Sequence, residues 1–223
     1  MRSSELSPWW SAGSWVTMLL VRLVFRVRVD GIANIPAVGP AILVFNHVSV
    51  LDGPVLAIEV ARRRRRESRF LVAAEMFSKP FFGWVLRTFD QIPIRRGQGD
   101  AHALDEAIRT VLAGAIASIA PEGQVNDEPE AGLQRIRRGA ARLALPTGAP
   151  VIPVGVWGTQ LRWPRRGPRF GRPWRPQMAL VFGDPVNPVG NQDVSVDVDA
   201  FTDRLREAIE EQVVRARLIA GAR

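Results

Sequence analysis

The sequence predicts an α/β domain in which a largely parallel central sheet is covered by helices, with an N-terminal amphipathic, membrane-associating helical segment in front. Three observations lead there. Short apolar runs of strand length alternate with amphipathic helical patterns, which is the signature of βαβ units. Several of those runs stop abruptly at polar residues, Gly or Pro, as strands do where they surface. Finally, 223 residues with 47% hydrophobic content suffice for one sizeable core.

The first segment, "WWSAGSWVTMLLVRLVFRVRV" (Trp9 to Val29), is apolar and tryptophan-rich but interrupted by Arg22, Arg26 and Arg28. Its uninterrupted part, Trp9 to Val21, falls short of the roughly 18 to 20 apolar residues that span a bilayer. No small-residue cleavage site follows it, so it does not read as a signal peptide. Tryptophan and arginine favour the headgroup region, so a helix lying in the interface is expected, with a core helix as the alternative. The chain thus divides into a membrane-interface segment, 1–29, and a single α/β domain, 30–223.

Within that domain, strands are expected at Ala41–Phe45, Phe70–Ala73, Gln91–Ile94, Ala115–Ala120, Val151–Trp157 and Gln177–Phe182. A helix is expected over "DAHALDEAIRTVLAG", capped by Asp100, with Leu104, Ala107, Ile108, Val111 and Leu112 at helical spacing. A last helix, "DAFTDRLREAIEEQVVRARLIAG", repeats the pattern through Phe201, Leu205, Ile209 and Val213. In open parallel sheets ligands bind outside the carboxyl ends of the strands. Those ends carry Asn46-His47, Arg95-Arg96-Gly97, Pro121-Glu122-Gly123 and Gly155.

Charge narrows the function. The net charge is +8, the isoelectric point about 11.4, and Lys79 is the only lysine. Arginine grips phosphate with a bidentate fork, so an anionic partner is indicated: nucleic acid, a membrane surface or a phosphate-bearing substrate. "ARRRRRE" (Ala61 to Glu67) and "RWPRRGPRFGRPWRP" (Arg162 to Pro176) concentrate this charge, and the second interleaves it with Trp163, Phe170 and Trp174. Both are expected to attract anionic headgroups. The absence of cysteine excludes disulfides, thiolate metal sites and cysteine nucleophiles. Two histidines leave little for a transition-metal site.

One of those histidines sits in "ILVFNHVSVLDG". Imidazole takes a proton from a hydroxyl near neutral pH, most effectively when a carboxylate fixes its tautomer. On a straight helix, five positions turn about 500°, which would put His47 and Asp52 on different faces. The pair is useful only if the chain turns between them, and Gly53-Pro54 marks where the next helix can begin. Asp52 as a plain helix cap is the alternative.

"NHVSVLD" resembles the Asn-His-x-Ser-x-x-Asp motif of the glycerolipid acyltransferases of the lysophosphatidate type. "FDQIPIRRG", "IAPEGQ" and "APVIPVGVWG" resemble that family's second, third and fourth blocks, in the same order, across Asn46 to Gly158. The resemblance implies an O-acyltransferase in which His47, oriented by Asp52, is the catalytic base. The acyl donor would be acyl-CoA or acyl carrier protein, with no metal and no other cofactor. Arg96, Glu122 and Gly123, with Arg95 beside them, would hold the head of a lipid acceptor, and Asn46 and Ser49 of the first motif would either join them at the substrate or shape the loop. A peripheral or monotopic enzyme of phospholipid biosynthesis on the cytoplasmic face of the cell membrane is the expectation, and a nucleic-acid partner is not.

Two departures bear on the acceptor. The family's third block usually reads Glu-Gly-x-Arg, and here Val125 stands in the arginine's place, followed by the acidic "NDEPE". Arg95 replaces the usual aspartate of the second block. Either Arg95, Arg135 or Arg137 supplies the missing phosphate contact, or the acceptor lacks that phosphate and the acidic loop binds sugar or amine groups.

Overall fold

The computed structural model describes residues 7–95 and 100–221. Helices are α1 Pro8–Val24, α2 Asp52–Arg64, α3 Ala74–Phe77, α4 Pro80–Thr88, α5 Ala101–Leu112, α6 Gly139–Thr147 and α7 Ser195–Ile219. Strands are β1 Arg26–Asp30, β2 Ala41–Phe45, β3 Ser68–Ala73, β4 Ile92–Ile94, β5 Ile116–Ile119, β6 Val151–Trp157 and β7 Gln177–Phe182. They form one sheet in the order β1-β7-β6-β2-β5-β3-β4, parallel except between β6 and β7.

Strand β2 lies between β6 and β5, and all five of its residues are buried. Successive strand side chains point to opposite faces. Ile42 and Val44 accordingly join one core with α5, α6 and α7, while Ala41, Leu43 and Phe45 join the other with α2 and Phe25. Burial on both faces explains why β2 reads as an unbroken apolar run. Helix α7 can lie on β6 because residue 155 is glycine: a Cβ there would come within 2.1 Å of the Gln212 carbonyl oxygen.

The N-terminal segment is corrected in two respects. Residues 26–30 form a strand that pairs with β7, so the sheet begins inside the stretch expected to be a membrane helix. Its burial alternates, with Arg26 and Arg28 exposed and Val27 and Val29 packed against the core. Arg26 and Arg28, two of the three arginines that interrupt the apolar segment, are the outer face of an edge strand. Helix α1 is also attached to the domain: Trp10 is buried edge-on against Phe89, and Arg22 pairs with the buried Glu59 of α2 at 3.1 Å. Its opposite face exposes Trp15, Leu19, Leu20 and Leu23. Among the described residues, no helix is long and apolar enough to cross a membrane.

Candidate active site

The loop between β2 and α2 folds around one carboxylate. Asp52 is fully buried, and its Oδ2 accepts from the backbone N–H groups of Val48 (2.7 Å) and Ser49 (2.8 Å). The same oxygen lies 3.0 Å from His47 Nδ1, and Oδ1 accepts from the Thr159 hydroxyl at 2.5 Å. Asp52 therefore gathers the preceding loop, which gives the turn the sequence required. The contact assigns the proton to Nδ1 and leaves Nε2, across the ring, free to accept. The His47 side chain keeps 24% exposure and lines a cavity of about 1380 Å³.

His47 is also held through its backbone. Its N–H donates to Glu122 Oε1 at 2.6 Å, and its carbonyl accepts from the Asn126 N–H at 2.7 Å. The other Glu122 oxygen accepts from the Gln134 N–H at 3.1 Å. Burial pushes the Glu122 carboxyl above the ordinary glutamate range, although those two N–H groups pull the other way.

Three residues expected at the substrate have their polar side-chain atoms engaged within the scaffold. Glu122 borders the cavity, but it is only 3% exposed and both its oxygens are occupied as above. Asn46 pairs with both backbone groups of Val156, accepting at 2.7 Å and donating at 3.0 Å, which extends the β2–β6 pairing beyond its last register pair. Ser49 donates to the Trp163 carbonyl at 2.7 Å and caps the Leu51 N–H at 3.0 Å. Neither Asn46 nor Ser49 lines the cavity. A short polar side chain after a strand binds ligand or backbone equally well, and burial decided for backbone.

Arg95 and Gly123 do line the cavity, whereas Arg96 lies outside the described residues. Gly123 adopts a left-handed φ of +74°, and a Cβ there would sit 3.2 Å from Arg137 Nε. The Arg137 guanidinium thus lies against the turn where the third block lacks its arginine. Arg135 and Arg142 face the same cavity. Among the described residues, the guanidinium groups of these three make no hydrogen bond or ion pair. None of the acidic loop's carboxylates lines the cavity, and two of the three are paired elsewhere, Asp127 with Arg165 at 2.9 Å and Glu130 with Arg217. The remaining lining is largely apolar: Trp10 and Gly13 of α1, Phe70 of β3, Phe82 and Leu86 of α4.

Thr159 and Asn126 escaped the sequence reading. Thr159 follows the positive-φ Gly158 after β6, and neither residue belongs to a motif that singles it out.

A family model described as Acyltransferase matches residues 26–157. The crystal structure of the 1-acyl-sn-glycerophosphate (LPA) acyltransferase PlsC from Thermotoga maritima superposes with a TM-score of 0.71 at 26% identity, covering 93% of this chain and 80% of that one. An uncharacterized Mycobacterium leprae protein is 28% identical over 89% of this chain and 62% of its own length. A chloroplastic 1-acyl-sn-glycerol-3-phosphate acyltransferase of Arabidopsis thaliana is 25% identical over 60% of this chain and 37% of its own. The N-acylphosphatidylethanolamine synthase of the same plant is 31% identical over 66% and 56%. The chain thus spans less than two thirds of the length of these curated relatives. With the family match running from β1 to the end of β6, through all four blocks, the chain belongs to the acyltransferase family.

Proposed function

We propose that this protein transfers a fatty acyl group from a thioester donor, acyl-CoA or acyl carrier protein, to a hydroxyl of a lysophospholipid resembling 1-acyl-glycerol 3-phosphate. The observation that carries this reading is a single cavity that combines the His47–Asp52 pair, an apolar lining and the arginines 135, 137 and 142. Apolar walls suit acyl chains, and uncommitted guanidinium groups suit a phosphate.

In the proposed reaction, His47 Nε2 removes the proton of the acceptor hydroxyl as its oxygen bonds to the thioester carbonyl carbon. Asp52 holds the ring and stabilises the imidazolium. The carbon–sulfur bond then breaks, and the imidazolium returns the proton to the leaving thiolate. Arg137, beside Gly123, takes the place of the arginine missing at Val125. A phosphate-bearing acceptor is favoured over a sugar or amine acceptor because arginines line the cavity and none of Asp127, Glu128 and Glu130 does.

The reading includes attachment to a membrane surface through the apolar outer faces of α1 and α4, where Leu19, Leu20, Phe81 and Trp84 are exposed. Residues on the inner sides of both helices line the cavity, so a lipid could pass from the bilayer into the site beneath them. Deleting α1 would remove part of the cavity wall. Substituting Leu19, Leu20 and Leu23 together by serine is the cleaner test, with loss of vesicle co-flotation and an unchanged melting curve expected.

The decisive experiment offers the purified protein labelled acyl-CoA with a panel of lysophospholipids, glycolipids and aminolipids, and identifies the product by mass spectrometry. An acylated lysophospholipid is expected. Acylation of only the uncharged acceptors would overturn the phosphate reading, and no product with any acceptor would remove the activity.

A further inference from the structure

Two arginine-rich segments that look alike in sequence are used differently. In the first, Arg62 stacks over the Trp15 ring at 3.8 Å, Arg63 pairs with Glu59 at 2.7 Å, and Arg66 donates to the carbonyls of Pro36 and Gly39. Arg62 and Arg66 fasten α1 and the loop before β2 to the α2 region, and Arg63 pairs within α2, so three of the run's five arginines are engaged inside the protein.

The second segment, residues 162–176, stands out from the domain. We propose that this arm is a second membrane contact, selective for anionic lipid and mechanically joined to the catalytic loop. No acidic residue occurs from 158 to 183. Arg166, Arg169 and Arg172 are exposed, and their guanidinium groups have no hydrogen-bond or ion-pair partner among the described residues. Between them Phe170 is 90% exposed and Trp174 82%. Such side chains face water at a cost that an interface removes, since tryptophan settles at headgroup depth and arginine beside anionic phosphates.

The arm has a fixed shape. Arg162, buried at its base, donates to the carbonyls of Gly171 (3.1 Å) and Pro173, and the Arg169 N–H returns to the Arg162 carbonyl at 2.8 Å. At its far end Arg175 donates to the Arg22 and Phe25 carbonyls at the C-terminus of α1. Trp174 is therefore one residue from the anchor to the helix whose outer face carries Leu19, Leu20 and Leu23. Exposed arginine and aromatic side chains also suit single-stranded nucleic acid. An adjoining aliphatic helix face favours acyl chains over bases.

The base of the arm meets the site directly. The Trp163 carbonyl accepts from Ser49 Oγ, Arg165 pairs with Asp127 next to the residue that holds the His47 carbonyl, and Thr159 just upstream donates to Asp52.

The test is co-flotation of the full chain with vesicles of phosphatidylcholine, with or without phosphatidylglycerol. It compares wild type with R166Q/R169Q/R172Q and with F170S/W174S, all at exposed positions, and checks folding by thermal melting. The triple variant should lose about a hundredfold in partition onto phosphatidylglycerol vesicles and little on phosphatidylcholine alone. The aromatic variant should weaken binding to both. Wild-type partition in either variant would overturn the proposal. So would an oligonucleotide that binds through the same arginines and displaces the vesicles. The proposal extends the membrane reading above, but flotation needs no acyl transfer. A protein inactive toward every acceptor that still shows the arginine-dependent preference would refute the activity and leave the arm in place.

Discussion

The two walls of the cavity differ in how their polar groups are engaged. The groups that support the catalytic wall are committed: Asp52 accepts from three donors and contacts His47 Nδ1, Glu122 accepts from two, and Asn46 and Ser49, behind the lining, are bound to backbone. On the arginine-bearing wall, Arg135, Arg137 and Arg142 are exposed and have no such partners among the described residues. Committed groups hold a geometry, since a satisfied buried network is costly to rearrange. Uncommitted charges are available to a ligand. In the proposed reaction the first wall positions His47, and the second receives the acceptor's anionic head.

Substitutions on the two walls should therefore fail in different ways. His47→Ala should lower kcat by about 10⁴-fold without altering the fold. Retained turnover, measured with labelled acyl-CoA, would remove His47 as the base. Asp52→Asn should cost about 10³-fold in kcat with little change in acceptor KM, together with a lower melting temperature, because a buried acceptor of several donors is lost. A change confined to melting temperature would make Asp52 structural only. Arg137→Gln should do the converse, raising the KM for a phosphate-bearing acceptor about thirtyfold and sparing kcat. A fall in kcat instead would erase the contrast between the walls.

Thr159→Val should reduce kcat about tenfold and shift its pH profile, with recovery in Thr159→Ser, since the hydroxyl reaches the reaction only through Asp52. The smallest effect concerns Glu122. Burial raises its carboxyl above the ordinary range, so the folded state keeps that proton to higher pH than the unfolded chain does. Its contribution to stability is present below the unfolded value and is lost as pH rises through the folded one. Melting temperature should fall across that window in wild type. In Glu122→Gln that slope should be absent, at a lower overall stability because one backbone N–H loses its acceptor.

Much of this was legible in the sequence where a residue type answers to one physical demand. The buried strands β2, β6 and β7 read at their observed bounds because double-sided burial leaves continuous apolar runs. Asp100 was recognisable as a cap, and its side chain accepts from the Ala103 N–H. Helix geometry showed that His47 and Asp52 could meet only across a turn, with a plain cap as the alternative, and the Asp52 carboxylate does gather that turn. Strand β1 was missed because arginine alternating with valine after an apolar helix resembles that helix running into the headgroups, and only its pairing with β7 settles the matter. The scaffold roles of Glu122 and Asn46 were hidden for another reason. Their partners are backbone groups of residues brought close by the fold, at separations of 75 and 110 positions, and backbone carries no sequence signal.

The loop after β5 joins the two walls in one piece of chain. It grips the His47 backbone on both sides through Glu122 and Asn126, and it then carries Arg135 and Arg137 to the cavity. Under the proposed function, proton transfer and head-group choice would thus be set by a single connected segment. A lineage adapting to a new acceptor cannot exchange that loop as a module, because the exchange would also move the base. Its accessible route is stepwise change among the outward arginines, which would let acceptor preference drift while the chemistry stays constant.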